Sequence, residues 1–439
     1  MAQVDGAAET NWAGNHTYRA RIERVSSVEQ VQEVVAGARR VRALGSRHSF
    51  TDLTDITDTD DGVLVSLSDL PTTVEVDERT RTARVTGRAA YGEVGTQLQE
   101  QGWALANLAS LPHISVAGAV STGTHGSGVG NGSLATAVAA LEIVGPDGSL
   151  RRVARGDADF EGSVVALGAL GVVTAVTLDI EPTFDVRQDV FTGLGWRELA
   201  DNVDAVTSGA YSVSLFTRWT GAGIDQVWLK SRVGDGAAEP PRELFGALTA
   251  TGTMHMLDGG ETAALTEQGG VPGPWLERLP HFRMEFTPSK GEELQSEYLL
   301  PREHTLEAIE RLRALGEVMA PVLMVTELRT VAADRHWLSG AHGHDVVGVH
   351  FTWVRDVERV YAVLPLIEEA LLPLGARPHW GKCFVAEAAQ IEPLYPRLGD
   401  FRELRDRVDP ERTFGNAFLD RVLGVPGVPG VPGVPGITV

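Results

Sequence analysis

The sequence predicts an α+β protein of two domains, a mixed first domain followed by a domain with a broad antiparallel sheet. The chain has 439 residues. Chains of this length are ordinarily too long to pack around a single hydrophobic core, so two domains are expected. Its second half carries several strand patterns broken by helices, as is typical of an α+β domain. A strong β pattern at residues 172–180 ends at Glu181 and Pro182, and we expect the first domain to end there.

Local patterns predict the elements of the first domain. The run Ser26-Ser27-Val28-Glu29 is a capping box, and the residues after it have helical periodicity. Alternating apolar and polar residues around short turns indicate two hairpins. In chain order we expect a helix at 28–40, strands at 41–44 and 63–67, a hairpin at 73–77 and 82–87, a helix at 91–101, a hairpin at 141–144 and 150–153, and a strand at 172–180.

The second half is predicted in the same way, and it ends in a repeat. We expect helices at 196–208, 302–315 and 357–374 and strands at 211–219, 226–233, 322–331 and 346–354. Val-Pro-Gly then recurs four times between Gly424 and Gly436. Such a tail cannot form a packed core, so we expect it to be disordered. The predicted divisions are 11–183, 184–375, a C-terminal segment at 376–423 that returns to the first domain, and the tail at 424–439.

Composition excludes several classes of function. The net charge of −21 disfavours binding to nucleic acid or to an anionic membrane. A single cysteine, Cys383, excludes a disulfide within the chain and a cysteine-rich metal site. His342, His344 and Asp345 resemble metal ligands, but a solvated loop explains them better, so no metal is expected. Without an apolar span or a secretory signal, we expect a cytoplasmic protein.

Two separated segments carry the first signal of function. The run Gly45-Ser46-Arg47-His48-Ser49-Phe50 follows a predicted strand, and alone it is best explained as a polar turn. The second segment, from Ser115 to Gly126, is crowded with small residues. Its glycines permit positive φ and its hydroxyls can donate, so it can wrap a diphosphate without lysine. The spacings typical of a Rossmann fingerprint and of a P-loop are both missing.

Together the two segments resemble the FAD-binding domain of the vanillyl-alcohol oxidase flavoprotein superfamily, and residues 11–423 are similar to its alditol oxidase group. The resemblance implies an FAD-binding domain, an α+β domain that caps the substrate, and a C-terminal segment near the flavin. It also implies that His48 bonds covalently to the 8α-methyl group of FAD; the alternative is a hydrogen-bonded His48 beside non-covalent FAD. The further FAD contacts that it implies are Leu44, Gly45, Ser46, Arg47, Ser49, Ser110, Ser115, Gly118, Ala119, Ser121, Thr122, Gly123, His125, Gly126, Val172 and Lys382.

Polar side chains in the second half carry a further signal. Glu327 and Arg329 lie two apart on one predicted strand and therefore share a face, as do His350 and Thr352 on another. Taken alone, the acid and the base are no more than a surface ion pair. Lys382 lies in an aromatic, turn-like setting. The substrate contacts that the resemblance implies are Ser110, Gln295, Glu327, Arg329, Thr352 and Lys382, with Arg329, Lys382 and His350 as the catalytic residues.

These residue types suit a polyol, because its hydroxyls both donate and accept hydrogen bonds. We expect Glu327 to accept from one hydroxyl, while Arg329 and Lys382 hold the reacting terminal hydroxyl and His350 helps to take its proton. The expected reaction is oxidation of alditols such as xylitol or sorbitol to the aldose, with O2 reduced to H2O2. A monomer is expected.

Two alternatives stay open. One is an aldonolactone oxidase or dehydrogenase of the same superfamily, in which the Glu-x-Arg pair also occurs. A dehydrogenase would pass its electrons to a carrier and react slowly with oxygen. The other is a non-catalytic flavin-binding protein whose functional part is the Val-Pro-Gly tail.

Overall fold

A computed structural model describes residues 9–234, 242–286 and 292–424. The predicted tail, from residue 425 onward, lies outside the described residues. Within them the strands form four sheets, and the sheets divide along the chain. Three small sheets come from residues up to Pro182, and one ten-stranded sheet comes from the residues after it.

The first half builds a three-stranded parallel sheet (β1-β3-β2) and a five-stranded antiparallel sheet (β4-β5-β9-β7-β8). The helix α1 begins after Ser27, whose side chain accepts a hydrogen bond from the Gln30 backbone N–H, so the cap lies one residue later than the predicted box of Ser26 and Glu29. The strands are β1 Arg21–Arg24, β2 Arg40–Leu44, β3 Gly62–Ser66, β4 Val74–Asp77, β5 Thr82–Thr86, β6 Trp103–Ala104, β7 Val138–Val144, β8 Leu150–Ala154, β9 Val172–Asp179 and β10 Glu181–Pro182. The helices are α1 Val28–Gly37, α2 Tyr91–Glu100, α3 Val116–Ser121 and α4 Phe160–Ser163.

The second half is dominated by the ten-stranded sheet, in which the order β12-β18-β19-β17 runs through the middle. Its strands are β11 Asp185–Gly195, β12 Ser212–Thr217, β13 Gly223–Val233, β14 Glu243–Leu244, β15 Ala247–Thr249, β16 Gly273–Pro274, β17 Glu293–Pro301, β18 Leu323–Val331, β19 Val346–Val354 and β20 Arg377–Pro378. The helices are α5 Trp196–Thr207, α6 Thr305–Ala314, α7 Gly316–Met319, α8 Val357–Leu371, α9 Ala388–Ile391, α10 Leu398–Val408 and α11 Ala417–Leu423.

Antiparallel register brings the polar positions of three central strands together. Glu327 on β18 lies opposite His350 on β19, and Glu297 on β17 lies opposite the same histidine. Gln295 lies opposite Thr352. Side chains at directly opposed positions share a face and lie about 4.5–5.5 Å apart at Cβ. The sheet therefore carries a polar patch on one face, although most of its residues are apolar.

The last part of the chain returns to the first half. The backbone N–H of Val41 donates to Thr413 O at 2.8 Å, and Arg42 Nη1 donates to Phe414 O at 2.8 Å. Asn416 Nδ2 donates to Asp55 O at 2.7 Å. These bonds tie the C-terminal segment to β2 and to the loop after it. The domain boundaries at 183, 375 and 423 stay predictions.

Several elements differ from the sequence-based expectation. The helix predicted at 28–40 ends at Gly37, because residue 40 already belongs to β2. The strands β11 and β17 were not predicted. Both carry buried polar residues, such as Gln188 and Glu297, which interrupt the apolar pattern that identifies a strand. No helix among the described residues is both long and apolar enough to cross a membrane.

Candidate active site

A cavity of about 550 Å³ is lined by residues from both halves of the chain. One wall comes from the loop after β2 and from the segment around α3, and the other comes from β17, β18, β19 and the loop after β20. Cofactor and small-molecule sites commonly enclose about 300–1,000 Å³. The two segments and the polar strands that the sequence singles out therefore face one space.

The loop after β2 presents His48 to this cavity. Arg47 has a φ of +62°, a left-handed conformation that turns the chain. The His48 ring stacks on Trp12 with 5.7 Å between centroids, and its Nδ1 lies 3.1 Å from Ser46 Oγ. Burial, with a smaller contribution from His113, lowers the pKa of His48 to about 4. The ring is therefore neutral near pH 7 and keeps a lone pair on one nitrogen.

The two motif segments touch, and they do so with small residues. The backbone N–H of Ser115 donates to Ser46 Oγ at 3.0 Å. A Cβ added to Gly45 would lie 3.1 Å from Ser115 Oγ, and one added to Gly118 would lie 2.8 Å from it. A larger residue at either position would therefore have to displace the Ser115 hydroxyl. A wall of glycines and hydroxyls beside a neutral histidine fits the FAD that the sequence predicts.

Most of the predicted FAD contacts line the cavity: Leu44, Gly45, Ser46, Arg47, His48, Ser49, Ser110, Ser115, Gly118, Ala119, Ser121, Thr122, His125 and Lys382. Gly123, Gly126 and Val172 do not. Gly123 follows the C-cap of α3 and has a φ of +69°, and a Cβ on Gly126 would lie 2.3 Å from Leu108 O. Val172 is fully buried in the core, and its neighbour Val173 lines the cavity instead, since side chains alternate along β9.

Glu297 is the centre of the polar wall. Its side chain is 1 % exposed and accepts from Lys382 Nζ at 2.5 Å and from Arg329 Nη2 at 3.1 Å. His125 Nε2 lies 3.0 Å from the same carboxylate. Burial would raise the pKa of Glu297, but Lys382, His125 and Arg329 hold that pKa well below its usual range. Glu297 is thus a buried carboxylate that orients two cations.

A second carboxylate, Glu327, holds Arg329 from the other side. Glu327 Oε2 lies 3.6 Å from Arg329 Nε, and Oε1 lies 2.8 Å from His281 Nε2. Burial works against the charge, yet Arg329 and His281 keep the pKa of Glu327 far below its usual range. Arg329 Nη1 donates to Ser110 Oγ at 3.2 Å. Its guanidinium is therefore fixed between two anions and a hydroxyl at the cavity wall.

Lys382 and His350 form a hydrogen-bonded pair. Lys382 Nζ lies 2.6 Å from His350 Nδ1, and His350 Nε2 lies 3.3 Å from Thr352 Oγ1. An ammonium can only donate, so Nδ1 accepts and the ring proton is on Nε2. Burial lowers the pKa of Lys382, although Glu297 opposes the shift. Burial and then Lys382 lower the pKa of His350 to about 4, so this ring is neutral near pH 7.

Every predicted substrate and catalytic residue lines the cavity: Ser110, Gln295, Glu327, Arg329, His350, Thr352 and Lys382. The cavity is also lined by Glu297, His281 and His379, none of which was predicted as a site residue. A signal for Glu297 existed, because it lies two positions from Gln295 and shares its face on β17. In the described part of the chain, no group of three or more His, Cys, Asp or Glu side chains is arranged to hold a metal ion.

Two family models match the sequence. The model described as an FAD binding domain matches residues 20–154, which include the His48 loop and the small-residue segment. The model described as D-arabinono-1,4-lactone oxidase matches residues 287–422, which include β17 to β19 and Lys382. Each wall of the cavity therefore falls within one of the two matches.

Similar proteins match over nearly the whole chain. Alditol oxidase from Streptomyces sp. is 49 % identical over 95 % of this chain and 99 % of its own length. L-gulono-1,4-lactone dehydrogenase from Mycobacterium tuberculosis is 30 % identical over 94 % of this chain and 99 % of its own length. A crystal structure of cholesterol oxidase from B. sterolicum superposes with a TM-score of 0.76 over 95 % of this chain and 96 % of that chain. At 16 % identity this last match shows the fold alone.

Proposed function

The chain belongs to the alditol oxidase group of the vanillyl-alcohol oxidase family of FAD flavoproteins, and from this premise we propose that it oxidises alditols such as xylitol and sorbitol. The terminal hydroxyl becomes the aldehyde of the aldose, and O2 becomes H2O2. The observation that carries the proposal is the row of Glu327, Arg329, His350 and Lys382 along one wall of the cavity, facing the His48 loop.

The row supplies the hydrogen-bonding groups that a polyol requires. Arg329 and Lys382 donate, while Glu327 accepts and is held ionised by Arg329 and His281. Ser110 and Thr352 add hydroxyls that can do either. Because the side chains are buried and already held by each other, little order has to be gained when the substrate binds. Donors and acceptors at fixed spacing can thus read consecutive hydroxyls along one chain.

The reacting hydroxyl lies, in this proposal, at Arg329 and Lys382. When bound, FAD supplies the acceptor for the hydride of the alditol C1 carbon. Arg329 and Lys382 donate to the hydroxyl oxygen and stabilise the negative charge that develops on it. Lys382 passes one of its own protons to His350 Nδ1, which lies 2.6 Å from Nζ, and the lone pair left on Nζ then takes the hydroxyl proton. The neutral His350 therefore acts as the base of a two-step proton relay.

An assay of peroxide tests the proposal. With xylitol in air, we expect H2O2 to form in proportion to the oxygen consumed, as measured by a peroxidase-coupled assay and an oxygen electrode. Addition of catalase should return half of the oxygen, which is the control for peroxide as the product. If no polyol gives peroxide in air, and none bleaches the flavin in the absence of oxygen, the proposed function is wrong.

Anaerobic mixing distinguishes the second candidate, an aldonolactone oxidase or dehydrogenase. This candidate is favoured by the match of residues 287–422 to the D-arabinono-1,4-lactone oxidase model. In anaerobic mixing, xylitol should bleach the flavin faster than L-gulono-1,4-lactone does. Faster bleaching by the lactone would favour this candidate, and bleaching followed by slow reaction with oxygen would indicate a dehydrogenase.

We further propose that FAD is bound covalently through His48. The support is the position of His48 at the cavity wall, held by Trp12 and Ser46, and the burial that lowers its pKa to about 4. A neutral imidazole has the lone pair that a new carbon–nitrogen bond requires. The location in the cytoplasm and the monomeric state stay predictions.

Acid precipitation tests the covalent bond. Because acid unfolds the chain but leaves a carbon–nitrogen bond intact, the pellet of the unchanged protein should stay yellow. In the His48→Ala variant the colour should move to the supernatant. A His113→Ala variant, which changes a neighbouring histidine, should keep its yellow pellet. A colourless pellet from the unchanged protein would contradict the covalent bond.

A further inference from the structure

A buried lysine behind the substrate wall takes no part in the reaction proposed above. Only three of the 38 basic residues are lysine, namely Lys230, Lys290 and Lys382. Lys230 lies on β13, is 1 % exposed, and does not line the cavity. Burial of a charge is unfavourable unless the charge is paired or hydrogen-bonded. The position of Lys230 therefore has to be explained by what it contacts.

Lys230 holds the loop that carries His281. Its Nζ lies 2.6 Å from Leu279 O, 2.8 Å from Pro280 O and 3.1 Å from His281 Nδ1. An ammonium has three protons and no lone pair, so these three acceptors satisfy it. His281 Nδ1 must then be unprotonated, and the ring proton is on Nε2. From there it is donated to Glu327 Oε1 over 2.8 Å.

The same loop also holds a second substrate residue, Ser110. The backbone N–H groups of His281 and Phe282 donate to Ser110 O at 3.0 and 3.2 Å. The Ser110 hydroxyl in turn accepts from Arg329. Anchoring of this loop by Lys230 therefore bears on two contacts to the substrate, one through the His281 ring and one through the backbone.

We propose that Lys230 and His281 are positioning residues that keep Glu327 a pure hydrogen-bond acceptor towards the substrate. Lys230 fixes the tautomer of His281, and His281 Nε2–H fixes the carboxylate. In this series of hydrogen bonds Lys230 donates to His281, and His281 donates to Glu327. The carboxylate of Glu327, which lines the cavity, is therefore left as an acceptor for the substrate. The inference rests on the proposed function, in which Glu327 accepts from an alditol hydroxyl.

The arrangement predicts that substrate affinity falls at alkaline pH. Burial lowers the pKa of Lys230 well below its usual range, although Glu327 opposes the shift. When Lys230 releases a proton to solvent, its amine can accept from His281, whose one proton then lies on Nδ1. The bare Nε2 and Glu327 become two facing acceptors. The titratable groups that face Lys230 are His281, Glu327 and Arg329, and its register neighbours are the neutral Gln188 and Ser212.

Steady-state kinetics of two variants test the proposal. Lys230→Met removes the donors at nearly constant length, and we expect KM for xylitol to rise about tenfold or more at pH 7, with kcat nearly unchanged. His281→Gln keeps an N–H for Glu327 that does not depend on Lys230. We therefore expect KM of His281→Gln to be the same at alkaline pH as at pH 7, whereas KM of the unchanged protein should rise with pH. Titration of Lys382 would lower kcat, which Lys230→Met leaves nearly unchanged, so kcat separates the two lysines.

Nitrogen-15 NMR of labelled histidine gives a readout that requires no substrate. The His281 signal, assigned by its loss in His281→Gln, should report the Nε2–H tautomer at neutral pH and move towards Nδ1–H as pH rises. In Lys230→Met it should report a mixture at all pH values. If that variant does not fold, the titration of the unchanged protein decides, because an Nδ1–H tautomer at neutral pH overturns the proposal.

The two readouts separate the possible failures. If folded Lys230→Met keeps either the KM or the His281 tautomer of the unchanged protein, the proposal that Lys230 positions Glu327 is overturned. The expected tautomers without turnover of any polyol would uphold that positioning and overturn the proposed function.

Discussion

Replacement of Lys382 by methionine is expected to slow reduction of the flavin by xylitol about 10²–10³-fold, the usual effect of removing one donor from a developing oxyanion. Lys382 is the group that donates to the reacting hydroxyl and also hands a proton to His350 Nδ1. Methionine fills a similar volume but can do neither. The measurement is anaerobic stopped flow, in which loss of the oxidised flavin absorbance is followed after mixing.

The pH dependence of the same rate gives a second check. Burial lowers the pKa of Lys382, so its ammonium is lost at a lower pH than that of an ordinary lysine, about 10.4. The rate in the unchanged protein should therefore fall on the alkaline side, and Lys382→Met should lack this fall. Lys382→Arg keeps the charge and should recover part of the rate. An unchanged rate in the methionine variant with full flavin content would refute the assigned role.

Sequence patterns predicted the bounds of helices and strands well where the element has one apolar face. The strand predicted at 346–354 is found as Val346–Val354, and the helix predicted at 196–208 is found as Trp196–Thr207. The strand β17 could not be recognised, because Gln295, Ser296 and Glu297 are three polar residues in succession, which breaks both an alternating pattern and an apolar run. The face that carries Gln295 and Glu297 borders the cavity rather than solvent, and a sequence pattern cannot tell these two surroundings apart.

Sequence patterns identified individual site residues, but which of these residues contact each other depends on how the strands pair in the sheet. Glu327 and Arg329 are neighbours on one strand, so alternation places them on one face. Glu297 and His281 reach them across strands and loops, and no spacing in the sequence specifies those approaches. The sequence therefore predicted the groups that can touch a substrate better than the groups that hold them in place.

Replacement of Glu297 by glutamine is expected to reduce both turnover and stability. Removal of one partner from a buried ion pair typically lowers the free energy of unfolding by about 3–5 kcal/mol. Glu297 raises the pKa of both Lys382 and Arg329, so its loss should move the alkaline fall of activity to lower pH. Lys382 would also lose the ionised partner that orients it, so turnover should fall at neutral pH as well. Turnover with xylitol and denaturant unfolding measure the two effects.

A second buried glutamate provides the matched control. Glu368 is 2 % exposed and accepts from Tyr298 Oη at 2.9 Å and from Val385 N at 2.7 Å. No ion pair among the described residues includes it, and burial raises its pKa. Glu368→Gln should therefore lower stability by about 1 kcal/mol and leave turnover unchanged. If both variants lose stability but only Glu297→Gln loses activity, the charge of Glu297 is what the site requires. Full turnover in Glu297→Gln, with no shift of the alkaline fall, would show that Lys382 keeps its proton without this carboxylate.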